Sequence, residues 1–167
     1  MVIEISDEDG IISLVNTETY KTFVNEDWEL DQLKAHFIDQ MNSNAFLVWQ
    51  TNNFGGGNWK VRFTTTESDE IAHSEFTAAI EVTAGELHLA DYTDLTMAAQ
   101  FMDYKIPADQ HENQKVQIEN GKYIVKVKRL FHPEEEMEEE KIAFEIVLTK
   151  VAEINKNQMT EIFWATF

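Results

Sequence analysis

Four stretches of this chain alternate apolar and polar residues with a period of two, and that pattern commits most of it to strands with one face buried. Trp59, Val61 and Phe63 share a face against Lys60, Arg62 and Thr64. Phe76, Ala78, Ile80 and Val82 alternate with Glu75, Thr77, Ala79 and Glu81. Tyr123, Val125 and Val127 oppose Lys122, Lys126 and Lys128, while Ile142, Phe144, Ile146 and Leu148 oppose Glu145 and Thr149. Such strands need a second layer to cover their apolar side, so the expected fold is mainly all-β: a two-sheet antiparallel β-sandwich.

Turn residues punctuate the strands. Asn120-Gly121, Ala84-Gly85 and Asp9-Gly10 each lie between two apolar runs and predict hairpins, because Asn, Asp and Gly tolerate positive φ. The stretch AFLVWQ, then TNNFGGG, then NWKVRF reads as a further hairpin with a flexible glycine loop. A phosphate cradle is a poor reading of that triplet: the glycines are contiguous, Lys60 precedes Val61 instead of Ser or Thr, and a strand follows where a helix is needed.

One segment has helical spacing. In NEDWELDQLKAHFIDQM, Leu30, Leu33, Phe37 and Met41 fall on one stripe widened by Ile38, Asn25 is a candidate N-cap, and Glu26, Asp27 and Glu29 suit the positive helix end. A shorter segment, Asp94 to Met102, predicts a helix in a crossover between the sheets. With two prolines and no internal repeat there is no linker, so residues 1–167 form a single domain.

The formal charge is -18, from 13 Lys and Arg against 31 Asp and Glu. That field repels nucleic-acid phosphate and anionic membrane and attracts a basic protein; solubility alone is the competing explanation. No cysteine is present, which removes disulfides, thiolate zinc sites and cysteine nucleophiles, and fits a reducing cytoplasm. The acidic start MVIEISDEDG carries no export signature and no stretch has the length of a membrane span, so the expected location is cytoplasmic.

No catalytic motif is legible. GxSxG and dinucleotide fingerprints are absent, the histidines at 36, 73, 88, 111 and 132 form no metal-ligand spacing, and SDEDG places Ile5 and Asn16 where a calcium loop needs acidic ligands. No catalytic residue, metal site or cofactor is expected. The most distinctive stretch is FHPEEEMEEEKIAF, with Glu134, Glu135, Glu136, Glu138, Glu139 and Glu140 between two strands. It is either a solvated hairpin loop or a docking edge whose carboxylates imitate a row of phosphates for a basic partner. Residues 43–63 and 120–133, by contrast, hold bases and no acid; side by side they would form a basic outer strip, unless Glu81 or Glu145 pairs with it.

As an ordered string, the chain resembles the competence protein J family of small acidic bacterial nuclease inhibitors. The likeness runs through TYKTFVN, the Asp27-Trp28 pair opening a helix, AFLVWQ, WKVRF, FTAAIEVTAGELHLADY, VQIENGKYIVKVKRLFHP and FEIVLTKV. The resemblance implies a fold and a class of partner, and no site. The leading expectation is a non-enzymatic acidic protein that binds and inhibits a basic protein, with a nuclease or toxin as the candidate class. The alternatives are a small-ligand module with a pocket between the sheets near Phe54, Trp49 or Trp59, and an enzyme of unrecognised type. The aromatic tail IFWATF either forms an edge strand or mediates a homodimer.

Overall fold

The inward positions of the four alternating stretches are almost all buried as their spacing predicts, while the outward Ala79, Lys128 and Glu145 are buried as well, and nine strands sort into two sheets in the computed structural model, which describes residues 1–167. The five-stranded sheet runs in the order β1 (Val2–Asp7), β4 (Gly57–Thr64), β9 (Ile142–Val151), β8 (Gly121–Arg129), β5 (Ser74–Val82). The four-stranded sheet runs β3 (Phe46–Gln50), β2 (Ile11–Val15), β6 (Glu86–Asp91), β7 (Lys115–Gln117). A cluster of 24 buried residues fills the space between them, including Trp49, Trp59, Phe63, Phe76 and Phe144. A second cluster of 15 lies on the other side of the four-stranded sheet, under two helices. That sheet is covered on both faces, which is why β2 and β3 are buried at every position and read as nearly continuous apolar runs, broken only by Ser13 and Gln50, instead of alternating.

The mainly-β, two-sheet expectation holds, with four corrections. The glycine turns are not hairpins: β1 and β2, β3 and β4, β5 and β6, and β7 and β8 each lie in different sheets, so every one of those turns carries the chain from one layer to the other. The φ values at Gly10, Gly85 and Gly121 are +80°, +73° and +151°. Local turn chemistry was therefore correct while the partner strand was not, because a turn residue encodes backbone geometry and the choice of partner rests on long-range burial. The five-stranded sheet is also not purely antiparallel, since β4 and β9 pair in parallel; the whole of residues 65–141 serves as their crossover.

The helices supply the other two corrections. The first helix, α1, spans Leu30–Asn42 and buries Leu33, Phe37 and Met41 as expected. Its cap is Glu29 in a capping box with Gln32, not Asn25. The backbone N–H groups of Val24 and Asn25 both donate to the Ala99 carbonyl, which holds that segment extended against the second helix. Leu30 is 43% exposed, one turn too early to reach the core. The second helix, α2 (Tyr92–Gln100), does not cross between sheets; it lies in the connection between the paired strands β6 and β7.

Two irregular segments complete the body. Residues 65–73 cross the outer face of the five-stranded sheet, where Ser68 donates through its N–H and hydroxyl to Glu145 and where the carbonyls of Ser68 and Glu70 accept from Lys128 Nζ. The C-terminal tail closes the side between β5 and β3. Asn157 bonds both the N–H and the C=O of Ala79, Phe163 stacks on Phe76 at 3.6 Å, and Trp164 lies under the Arg129 guanidinium at 4.5 Å. Its aromatic residues are used within the chain, and burial without an acidic partner pulls the Arg129 pKa down to about 10. No helix is long and apolar enough to cross a membrane.

Candidate partner-binding face

Three connections meet at one end of the sandwich: the β1–β2 corner, the glycine loop between β3 and β4, and the Glu-rich loop between β8 and β9. The corner is held by Asp7. One of its carboxylate oxygens accepts from the N–H groups of Asp9, Gly10 and Ile11, and the other from the Thr51 hydroxyl and the Trp59 indole. Burial pushes the Asp7 carboxyl above its usual range against the pull of those donors.

The glycine triplet packs on that corner. A Cβ on Gly56 would lie 2.2 Å from the Asp7 carbonyl oxygen, and φ there is +115°. The Asn52 side chain accepts from the N–H groups of Phe54, Gly55 and Gly56 and donates to the Gly56 carbonyl. The loop is thus a tied structure and not the flexible connector its composition suggests: Gly56 lies against the Asp7–Glu8 backbone, Gly55 holds a φ of +86°, and a Cβ on Gly57 would meet the Trp59 ring at 2.8 Å. What the loop displays is Phe54, 66% exposed.

Across from Phe54 stands the Glu-rich loop, which is a true hairpin loop between adjacent antiparallel strands. The two loops bound a groove of about 610 Å³ lined by Asn52, Phe54, Asn58, Trp59, Met137 and four carboxylates, those of Glu134, Glu135, Glu136 and Glu139. No Lys or Arg lines it. The six glutamates therefore divide: Glu138 pairs with Lys141 at 2.7 Å and Glu140 with Lys60 at 3.1 Å, while the other four face the groove. Trp59 is 3% exposed, stacked on Phe131, and forms the floor. Trp49 lies within the core against Phe76 and Phe144, so the indentation beside Phe54 and Trp59 opens on the surface instead of between the sheets.

The basic strip expected on the outer sheet is present in sequence and neutralised in space. β4 and β8 flank β9, and their bases other than Arg129 pair with acids: Arg62 with Glu145 and Glu70, Lys128 with Glu145 and Glu67, Lys126 with Glu67 and Glu75, Lys122 with Glu153. Glu145 is the anticipated cross-strand partner. Most of the thirty-one Asp and Glu take no part in such pairs, so the negative field persists around a balanced outer sheet.

Four of the histidines pack against particular side chains. Asp94, almost fully buried, accepts from the Tyr104 hydroxyl and from His111 Nδ1, each at 2.7 Å. His88 is buried beside Glu86, and His73 and His132 pack edge to face at 4.4 Å. Spacing in the sequence gave no sign of the Asp94 cluster, because its members come from α2, the irregular segment after it and a short 3-10 helix at Asp109–His111.

No family model and no curated protein sequence matches the chain. Among solved structures it is similar to the one titled crocagin biosynthetic gene J, at 12% identity over 89% of this chain and 95% of that one, with a TM-score of 0.60. It is also similar to ComJ of Bacillus subtilis, titled an inhibitor of the DNA-degrading activity of NucA, at 10% identity over 90% of this chain and 96% of that one, with a TM-score of 0.47. The chain shares its fold with the crocagin biosynthetic protein.

Proposed function

We propose that this protein is a non-enzymatic binder that occupies and blocks the cationic surface of a basic protein, with a nuclease or toxin as the class of target. The observation that carries the reading is the groove between the glycine and Glu-rich loops: four carboxylates, one exposed aromatic ring and no base in a single lining. Lysines and arginines of a partner entering it would meet charge that the protein itself leaves unpaired. The Phe54 ring offers an apolar and cation–π anchor beside that charge. At a formal charge of -18 the wider field draws a basic partner in over long range, so association is fast and falls with salt. The class of target agrees with what the segment-order resemblance implies.

Asp94, His111 and Tyr104 are the nearest approach to a catalytic grouping. Their hydrogen bonds tie α2 to the following turns, and no hydroxyl or thiol nucleophile is bonded to His111. The test is affinity capture from a lysate of the source organism with the wild type and with the Glu134→Gln, Glu135→Gln, Glu136→Gln, Glu139→Gln variant. The expected result is a basic protein retained by the wild type at low salt and lost with the variant. Equal retention by both would refute the groove as the binding surface.

A further inference from the structure

The sandwich has four strand edges, and three are closed or short. Asn157 occupies the β5 edge at Ala79, Phe163 bridges to the β3 edge at Trp49 and Gln50, and β7 has three residues. The β1 edge is different. Phe63 N–H donates to the Met1 carbonyl and the Met1 amine to the Phe63 carbonyl, and the register then makes Ile3 with Val61 and Ile5 with Trp59 the hydrogen-bonded pairs. In an antiparallel ladder the intervening residues turn their N–H and C=O groups the other way. Val2, Glu4 and Ser6, all exposed, therefore present three donors and three acceptors along an edge that no other backbone group meets.

We propose that this edge receives an extended segment of a basic partner as an added strand, an inference that rests on the basic-partner reading above and deepens it. Main-chain pairing with Val2, Glu4 and Ser6 would supply attachment, and alternation would supply selection. Side chains on the outer face would lie beside Glu4 and a second, smaller groove lined by Glu4, Ser6, Asn58, Lys60, Glu139 and Glu140, where three carboxylates outnumber the single base, Lys60, that pairs with Glu4 and Glu140, so they should be Lys or Arg. Side chains on the inner face would continue the buried row of Ile3 and Ile5 and should be apolar. A second copy of this chain fits poorly: antiparallel β1–β1 pairing centred on Glu4 sets like charges opposite each other and brings two strongly negative proteins together. Asn58, Trp59 and Glu139 line both grooves, so edge and acidic groove form one continuous surface.

The experiment is amide hydrogen exchange on the full chain, free and with a nine-residue peptide alternating Lys and Val. In the free protein the amides of Val2, Glu4 and Ser6 should exchange rapidly; with the peptide, protection at those three should rise about tenfold or more. The same peptide N-methylated on one edge should give no protection. Ser6→Pro, which removes an edge donor and the Ser6 hydroxyl's bond to Asn58 but none of the backbone bonds of the β1–β4 ladder, should abolish binding with an unchanged circular dichroism spectrum. Glu4→Lys should weaken it about fivefold. Protection of these amides in the free protein, or equal binding of the N-methylated peptide, overturns the edge proposal. The variant lacking the four groove glutamates separates the two readings: loss of partner capture by it, with no peptide protection of β1, leaves the groove standing and removes the edge.

Discussion

Replacing Glu145 by Gln should destabilise the protein by about 3 kcal/mol while leaving its shape unchanged. The carboxylate is fully buried, with one oxygen at 2.8 and 2.7 Å from the Arg62 guanidinium nitrogens and the other at 3.0 to 3.5 Å from the Ser68 hydroxyl, the Ser68 N–H and Lys128 Nζ. Lys128 is itself 3% exposed. An amide keeps the volume and loses the charge, so Lys128 retains two carbonyl acceptors and the more exposed Glu67. A buried charge deprived of its main counter-charge costs several kcal/mol, and the remaining acceptors place this case toward the low end of about 3–5 kcal/mol. For a domain of this size the loss corresponds to roughly 6–12 °C in Tm. Burial alone would raise the Glu145 pKa, but the Ser68 donors and Arg62 outweigh it and hold the carboxyl below its usual value of 4.5. A depressed folded pKa stabilises above the unfolded value and is lost as pH falls through the folded one. The gap between wild type and variant should therefore be constant near neutrality and shrink below about pH 4.5. Urea denaturation between pH 3 and 8 measures it, and pairing the change with Lys128→Met should recover part of the loss. A cost under about 1 kcal/mol at neutral pH, or a gap that widens in acid, would refute the reasoning.

Two further outcomes are expected. Gly56→Ala should cost more than about 2 kcal/mol in urea, since the new Cβ would meet the Asp7 carbonyl at 2.2 Å, whereas Gly85→Ala, at φ +73° with open space around it, should cost about 1 kcal/mol. Phe54→Ala should change stability by less than about 0.5 kcal/mol because the ring is mostly exposed, yet weaken capture of the basic partner in the lysate assay.

The layers of the fold were legible in the residues because alternation is a local record of burial: Trp59, Val61 and Phe63 point inward whatever strand lies beside them. Pairing was not. Asp9-Gly10 and Asn120-Gly121 specify turns equally well whether the next strand joins the same sheet or the facing one, and the parallel meeting of β4 with β9 depends on contacts some eighty residues apart. Glu145 illustrates the same boundary. Its alternation marks it as outward-facing, and it does face outward, but the strap at residues 65–73 covers it and turns a surface position into a buried ion pair. At the candidate site, the Glu-rich run was visible from composition and the glycine triplet from its rarity. Their convergence on one groove required the sheets to bring the β3–β4 and β8–β9 connections to the same end.

Titrating the captured partner against wild type and against the variant lacking Glu134, Glu135, Glu136 and Glu139, at low and at high ionic strength, bears most directly on the acidic groove. Binding by the wild type should weaken steeply with salt, and the variant should bind more weakly with a much flatter salt dependence. Matching affinities and matching salt slopes for the two proteins would contradict the account.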